Sequence, residues 1–442
     1  MHKRFPVSVQ LLAGAALVAS IFAAVPIGTS AAEAHPGPTT CKEVSVPVVV
    51  GDQQGPIVGT LCSPPGATTV QLLVHGWTYD QRYFDWPIDP QTNSYARAAN
   101  AAGYATLAID RLGAGASFHP LSLFDTFQAD VDTVHAVVQA LRNGSLGTPF
   151  ERVVGVGHSL GSMVLSSEAG EYRDLDALIT TGFSHSLNYA SAAVRILGRD
   201  YLARSDPKYS GIITDPGYLT SMPGTRQYFY NVEDADPSVI AADEQLKSTD
   251  TVVEAATLLM YNYLNADRTL NIPVLVIDGQ DEPFFCGLQS ADCSSSQTLL
   301  DFERPWYGPN ATVEALVVPN TGHDTMLERS APVDIRRMIA FSEQFVGHGS
   351  GVVGSAAGAR PRIPAPPPTA LSLLDQVLGA AFTQAILPAM NATSNGMAPV
   401  PGLSYSGPTV DPIPDAGLML SSVGNTEDAF LGTLPQRVLA NL

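Results

Sequence analysis

Residues 153–161 read Val153-Val154-Gly155-Val156-Gly157-His158-Ser159-Leu160-Gly161, and their reading decides the fold. A continuous apolar run enters a G-x-S-x-G pattern, and a helical pattern over Leu160–Tyr172 follows directly. A serine in that setting stands on a tight strand-to-helix turn with strained φ/ψ. Side chains at the flanking positions would clash there, so glycines are required. The turn projects Ser159 Oγ from the carboxyl end of a sheet. It also presents the Leu160 N–H at a helix N-terminus, where developing negative charge is stabilised.

Working outward, Val70–His75, Tyr104–Asp110 and Leu175–Gly182 read as further buried strands. Ser94–Ala102 and Phe124–Arg142 read as helices between them. The rhythm resumes with strands at Val274–Asp278 and Val313–Pro319 and a helix over Val333–Val346. Continuous apolar strands alternating with helices predict an α/β fold with a mostly parallel central sheet covered on both faces. The core is expected over 35–185 and 271–346. Residues 186–270 break the rhythm and read as a helical cap insertion, with helices near Ala190–Ala203 and Ser248–Leu264. Insertions of that length sit at strand ends and often cover a site. Residues 347–369 form a Gly/Pro-rich linker, and 370–442 a C-terminal extension with one amphipathic segment, Ala370–Leu387.

The chain has 442 residues, 45% hydrophobic and only 15% charged, which supports a large buried core and excludes wholesale disorder. Its 42 acidic against 23 basic residues repel phosphate backbones and anionic lipid heads, so nucleic acid is not an expected partner. Lys3 and Arg4, an apolar run over Leu11–Phe22 and the small-x-small triplet Ala32-Glu33-Ala34 read as a cleaved signal peptide over residues 1–34. The product is expected to be secreted, with no membrane anchor after cleavage. In an oxidising space the four cysteines pair by proximity as Cys41–Cys62, across a hairpin of Val44–Val50 and Pro56–Leu61 with a turn at Gly51–Gly55, and as Cys286–Cys293. Neither pair has metal-site spacing, and no metal is expected.

A hydroxyl is a weak nucleophile until a base takes its proton. Of nine histidines, His323 in Pro319-Asn320-Thr321-Gly322-His323-Asp324 follows the last strand and precedes the last helix, where a loop returns over the strand ends. His75 reads as a loop brace, His135 as a helix residue, and His119 and His185 as loop residues open to the pocket. A base needs a carboxylate to fix its tautomer. The strand Val274–Asp278 runs into Gly279-Gln280-Asp281-Glu282, which leaves Asp281 and Glu282 as the loop carboxylates. Leu72-Leu73-Val74-His75-Gly76-Trp77 ends an early strand, and the Trp77 N–H is the natural second oxyanion donor beside Leu160.

Over residues 41–346 the chain resembles the α/β-hydrolase superfamily. The resemblance is carried by His75-Gly76, Asp110-Arg111-Leu112-Gly113-Ala114-Gly115-Ala116-Ser117, the Gly157–Gly161 elbow, the Gly279–Glu282 turn and Gly322-His323. The order Ser159, acid, His323 is the order of that superfamily. Its usual G-x-x-D acid turn implies Glu282 at the acid position, with Asp281 as the alternative. Export, an insertion of cap length and the GHSLG elbow resemble secreted serine esterases and lipases of actinobacteria. The resemblance implies cleavage of small-molecule esters or lipids with apolar acyl or aryl groups through an acyl-enzyme, with no cofactor. Tyr79, Phe183 and Phe284 are the expected substrate contacts. An acyltransferase or an exopeptidase of the same fold is the alternative, and a noncatalytic binding protein a third.

Overall fold

In the computed structural model, residues 38–188, 191–192, 197–258, 266–287 and 290–349 are described. The expected signal peptide, the linker beyond 349 and the C-terminal extension with its segment Ala370–Leu387 lie outside the described residues.

Strands β1 (Thr40–Val50) and β2 (Gln53–Ser63) form an antiparallel hairpin. Cys41 stands directly opposite Cys62, and the two are joined by a disulfide with Cα atoms 4.0 Å apart. The turn is shorter than expected. Gly51 adopts φ 62°, which lets a two-residue Gly51-Asp52 turn close the hairpin, so Gln53 already pairs with Val50. The chain continues through β3 (Thr69–Val74), α1 (Pro90–Asn93), α2 (Tyr95–Ala101), β4 (Ala105–Ile109), α3 (Phe127–Asn143), β5 (Arg152–His158), α4 (Leu160–Tyr172) and β6 (Ala177–Thr181). Every residue of β3, β4 and β6 is buried, which explains why these strands read as continuous apolar runs.

Between β6 and the next core strand lie β7 (Asp200–Leu202), β8 (Tyr218–Ser221), α5 (Pro237–Leu246), β9 (Asp250–Thr251) and α6 (Val252–Leu258). The inserted segment is therefore not purely helical: β7, β8 and β9 form a three-stranded antiparallel sheet. The helix expected over Ala190–Ala203 gives way to β7 at its end, where Leu202 pairs with Leu219. The helix expected over Ser248–Leu264 begins later, at Val252, after Asp250 has paired with Leu219. Residues 190, 193–196 and 259–264 of these two expectations lie outside the described residues.

The core resumes with β10 (Val274–Gly279), α7 (Ser296–Glu303), β11 (Val313–Val318) and α8 (Ala331–Phe345). A second disulfide, Cys286–Cys293, closes the loop after β10. The eight-stranded sheet has the order β1-β2-β4-β3-β5-β6-β10-β11 and is parallel from β4 to β11. Helices α3 and α4 pack together, while α2 and α8 pack against each other. Strand β3 is followed in sequence by β4 on one side and flanked by β5 on the other. The reversal of direction opens a crevice at the carboxyl ends of β3 and β5, the general place for a ligand in an open α/β sheet. Among the described residues no helix is long and apolar enough to cross a membrane.

Candidate active site

Ser159 follows β5 at that crevice with φ 51° and ψ −120°, a conformation that persists only when its surroundings enforce it. Its N–H donates to Thr181 O at 2.8 Å, tying the turn to β6. A Cβ at Gly161 would lie 2.1 Å from Val74 O, so α4 can start this close to β3 only with glycine there. Serine at a helix N-cap ordinarily spends its hydroxyl on the N2 or N3 N–H. Ser159 occupies the N-cap of α4 and makes no such bond, so its Oγ is not consumed by its own helix. His158 stacks on Tyr83 at 4.1 Å, with Nε2 3.1 Å from Asp324 Oδ1. Burial holds its pKa well below the usual value, so its ring is neutral.

His323 lies in the loop between β11 and α8, held by its own N–H and that of Asp324, which both donate to Phe229 O. Its Nδ1 is 2.6 Å from Glu282 Oε2. The other Glu282 oxygen accepts the Phe284 N–H at 2.6 Å, so the turn itself orients the carboxylate. Glu282 is buried, whereas Asp281 is exposed and accepts a hydrogen bond from Asn231 Nδ2 at 2.9 Å. Asp278 accepts the Phe183 N–H, and burial, reinforced by Glu282, pushes its pKa well up, so it is a neutral acid inside the sheet. The His323 ring is 4.8 Å from that of His158. Among the described residues neither His323 Nε2 nor Ser159 Oγ has a hydrogen-bond partner. Contacts of this kind are often long without substrate and tighten when it binds.

A Cβ on Gly76 would lie 2.9 Å from Ser159 Cβ, which brings the His75–Thr78 loop into contact with the elbow. The Trp77 and Leu160 backbone N–H groups have no hydrogen-bond partner among the described residues. The loop is braced on both sides of Trp77. His75 Nε2 accepts the Arg111 N–H at 2.9 Å, and Arg111 Nε donates to His75 O at 3.1 Å. Thr78, at φ 55°, donates its N–H to Asp250. Arg111 is itself fully buried and paired with Asp130, Asp250 and Glu254. One ion cluster thus grips the loop from β9 and α6 of the inserted segment. Sequence reading gave His75 as a brace of this loop but missed the ion cluster behind it, because Asp250 and Glu254 reach Arg111 across 139 and 143 residues with no local pattern. For the cluster itself the advance signal was the Asp110-Arg111 motif.

The three expected substrate contacts take different places. Phe284 sets its ring edge against His323 at 4.7 Å. The Tyr79 hydroxyl lies 2.8 Å from Asp243 Oδ2 and 2.5 Å from Asp324 Oδ2, and its ring lies beneath Arg226. Phe183 is buried between His185 and Phe285. Of the carboxylates in the segment between β6 and β10, Asp243 is buried and paired with Arg226, while Glu233 and Asp236 are exposed. His185, expected to be open to the pocket, is buried between Glu303 and Asp267. A cavity of about 470 Å³ lined by Asp80, Gln81, Asp110, His119, Lys208 and Tyr209 contains none of the residues gathered at Ser159.

The family model described as alpha/beta hydrolase family matches residues 71–337. No curated protein matches the chain in sequence. Among solved structures, the chain is similar to DcsB, determined with its substrate analogue, at 15% identity and TM-score 0.47, covering 70% of this chain and 99% of that one. It is similar to the alpha/beta hydrolase GrgF from Penicillium sp. sh18 at 15% identity and TM-score 0.46, covering 69% and 99%. For the esterase domain of a Rhodothermus marinus protein the identity is 16% and the TM-score 0.43, covering 70% and 100%.

Proposed function

We propose, from the premise that the chain belongs to the alpha/beta hydrolase family, that it is a secreted serine hydrolase of carboxylic esters. The observation that carries this reading is the His323 imidazole, with Nδ1 on a buried carboxylate and Nε2 without a partner among the described residues, its ring 4.8 Å from that of His158, which precedes a strained serine whose hydroxyl its helix does not use. In this reading Ser159 Oγ adds to the ester carbonyl carbon as its proton passes to His323 Nε2. Glu282 fixes the tautomer and stabilises the imidazolium. The Trp77 and Leu160 N–H groups receive the oxyanion. The alkoxide leaves with the proton from His323, and a water deprotonated by the same nitrogen then releases the acid. Phe284, packed on His323, favours an apolar acyl or aryl group.

The test is fluorophosphonate labelling of wild type and Ser159→Ala, followed by turnover of p-nitrophenyl esters from C2 to C16. Labelling of wild type alone, with ester turnover lost in the variant by on the order of 10⁴-fold or more, is expected. Equal labelling or retained turnover in folded Ser159→Ala would sink the reading.

A further inference from the structure

On the α3/α4 side of the sheet, three chemistry-bearing side chains converge that the hydrolase reading leaves unused. They are His135 from α3, Glu168 from α4 and Asp174 from the turn that follows α4, and one donor atom of each lies within 4.8 Å of the others. His135 Nδ1 is 3.1 Å from Glu168 Oε1 and 3.3 Å from Asp174 Oδ2. Glu168 is fully buried, and among the described residues its second oxygen, Oε2, has no hydrogen-bond partner. Among the described residues Asp174 Oδ1 is likewise buried without one, while Oδ2 accepts from Gln139 Nε2 at 2.6 Å. One imidazole N–H cannot satisfy two buried carboxyl groups, and a buried carboxyl oxygen without a partner is costly.

We propose that His135, Glu168 and Asp174 form a binding site for one divalent cation of zinc type, separate from the Ser159 site. Zinc takes imidazole nitrogen and carboxylate oxygen at about 2.0–2.2 Å, which sets neighbouring donors about 3.3 Å apart around a tetrahedral ion. The two His135 distances match that edge. Two carboxylates and a neutral imidazole balance a divalent charge: as the metal binds, the protons held among His135 Nδ1 and the carboxyl groups leave to solvent and the remaining ring proton stays on Nε2. Tyr172 stacks on the His135 ring at 3.6 Å and fixes its plane, and Gln139 orients Asp174, supports of the kind metal ligands use. Asp174 is partly exposed, which gives an entry path and room for a water as fourth ligand. Glu168 stands nine residues along α4 from Ser159, about 13 Å at the helical rise. The bound ion would therefore tie α3 to α4 and have no part in the ester chemistry.

The test is equilibrium dialysis of the untagged full-length chain, stripped with chelator and then loaded with zinc alone, read by metal analysis and by thermal unfolding. About one zinc per chain and a Tm that rises with zinc are expected in wild type. Glu168→Gln and Asp174→Asn should each weaken binding more than about tenfold and lose the Tm response. The partly exposed Asp174 keeps the test usable if the Glu168 variant fails to fold. Ester turnover or fluorophosphonate labelling should be the same with and without the metal. No zinc in folded wild type, or equal zinc in folded variants, overturns the proposal.

Discussion

Two buried histidines, His323 and His185, each lie 2.6 Å from a glutamate, and they are built for opposite ends. His323 gives Nδ1 to Glu282, and its Nε2 has no partner among the described residues. His185 gives Nδ1 to Glu303 and Nε2 to Asp267, and its ring stacks on Trp306 at 5.0 Å with planes 5° apart. Both nitrogens of His185 are committed. Burial alone would depress its pKa, but the Glu303 and Asp267 carboxylates outweigh that and hold it up to about 9. It is a cationic rivet between the inserted segment and α7. A histidine–carboxylate contact therefore says little about catalysis until the second nitrogen is accounted for.

Replacing the two rings is the most direct way to break this comparison. His323→Ala should lower kcat/KM by on the order of 10⁴–10⁶-fold with little change in Tm. His185→Gln should keep turnover within about tenfold and instead destabilise the fold by about 3–5 kcal/mol, since two buried carboxylates lose their cation. Equal losses of turnover in the two folded variants would end the distinction. The next test concerns the neighbouring carboxylates of one turn. Glu282→Gln should cost on the order of 10³–10⁴-fold in kcat, and Asp281→Asn less than about threefold, as an exposed group away from His323. The reverse ranking would move the acid to Asp281.

The smallest effect expected is a pH dependence of stability. The folded pKa of His185 lies above its unfolded value near 6.5. Its contribution is therefore complete below about 6.5 and is lost as pH rises through about 9. Urea unfolding between pH 6 and 10 should show the gap between wild type and His185→Gln narrowing toward high pH. A gap that stays constant would mean that His185 does not bind its proton more tightly in the fold.

The elbow and the sheet around it were legible because their constraints are local. Gly161 must be glycine where α4 meets the Val74 carbonyl, and β3, β4 and β6 are buried on both faces, so their apolar runs are continuous. The three-stranded sheet of the inserted segment was not legible. Its strands have three, four and two residues, too short for any period to register. Nor was the place of His185, read as a pocket residue until Asp267 and Glu303 met it from 82 and 118 residues away.

By itself the sequence determined the order of the core elements, the position of Ser159 on its turn, and the loop in which His323 stands. It did so because apolar periodicity and glycine placement are imposed by neighbours along the chain. Tertiary structure alone decided which carboxylate of the Asp281-Glu282 turn faces His323, which histidine keeps a nitrogen unengaged, and what grips the Trp77 loop. Those outcomes depend on burial and on hydrogen-bond partners brought together from far along the chain, 41 residues apart for Glu282 and His323 and 139 and 143 for Arg111 with Asp250 and Glu254. Local pattern carries no record of such partners, because the cost of leaving a buried charge unpaired arises only when the chain has packed around it.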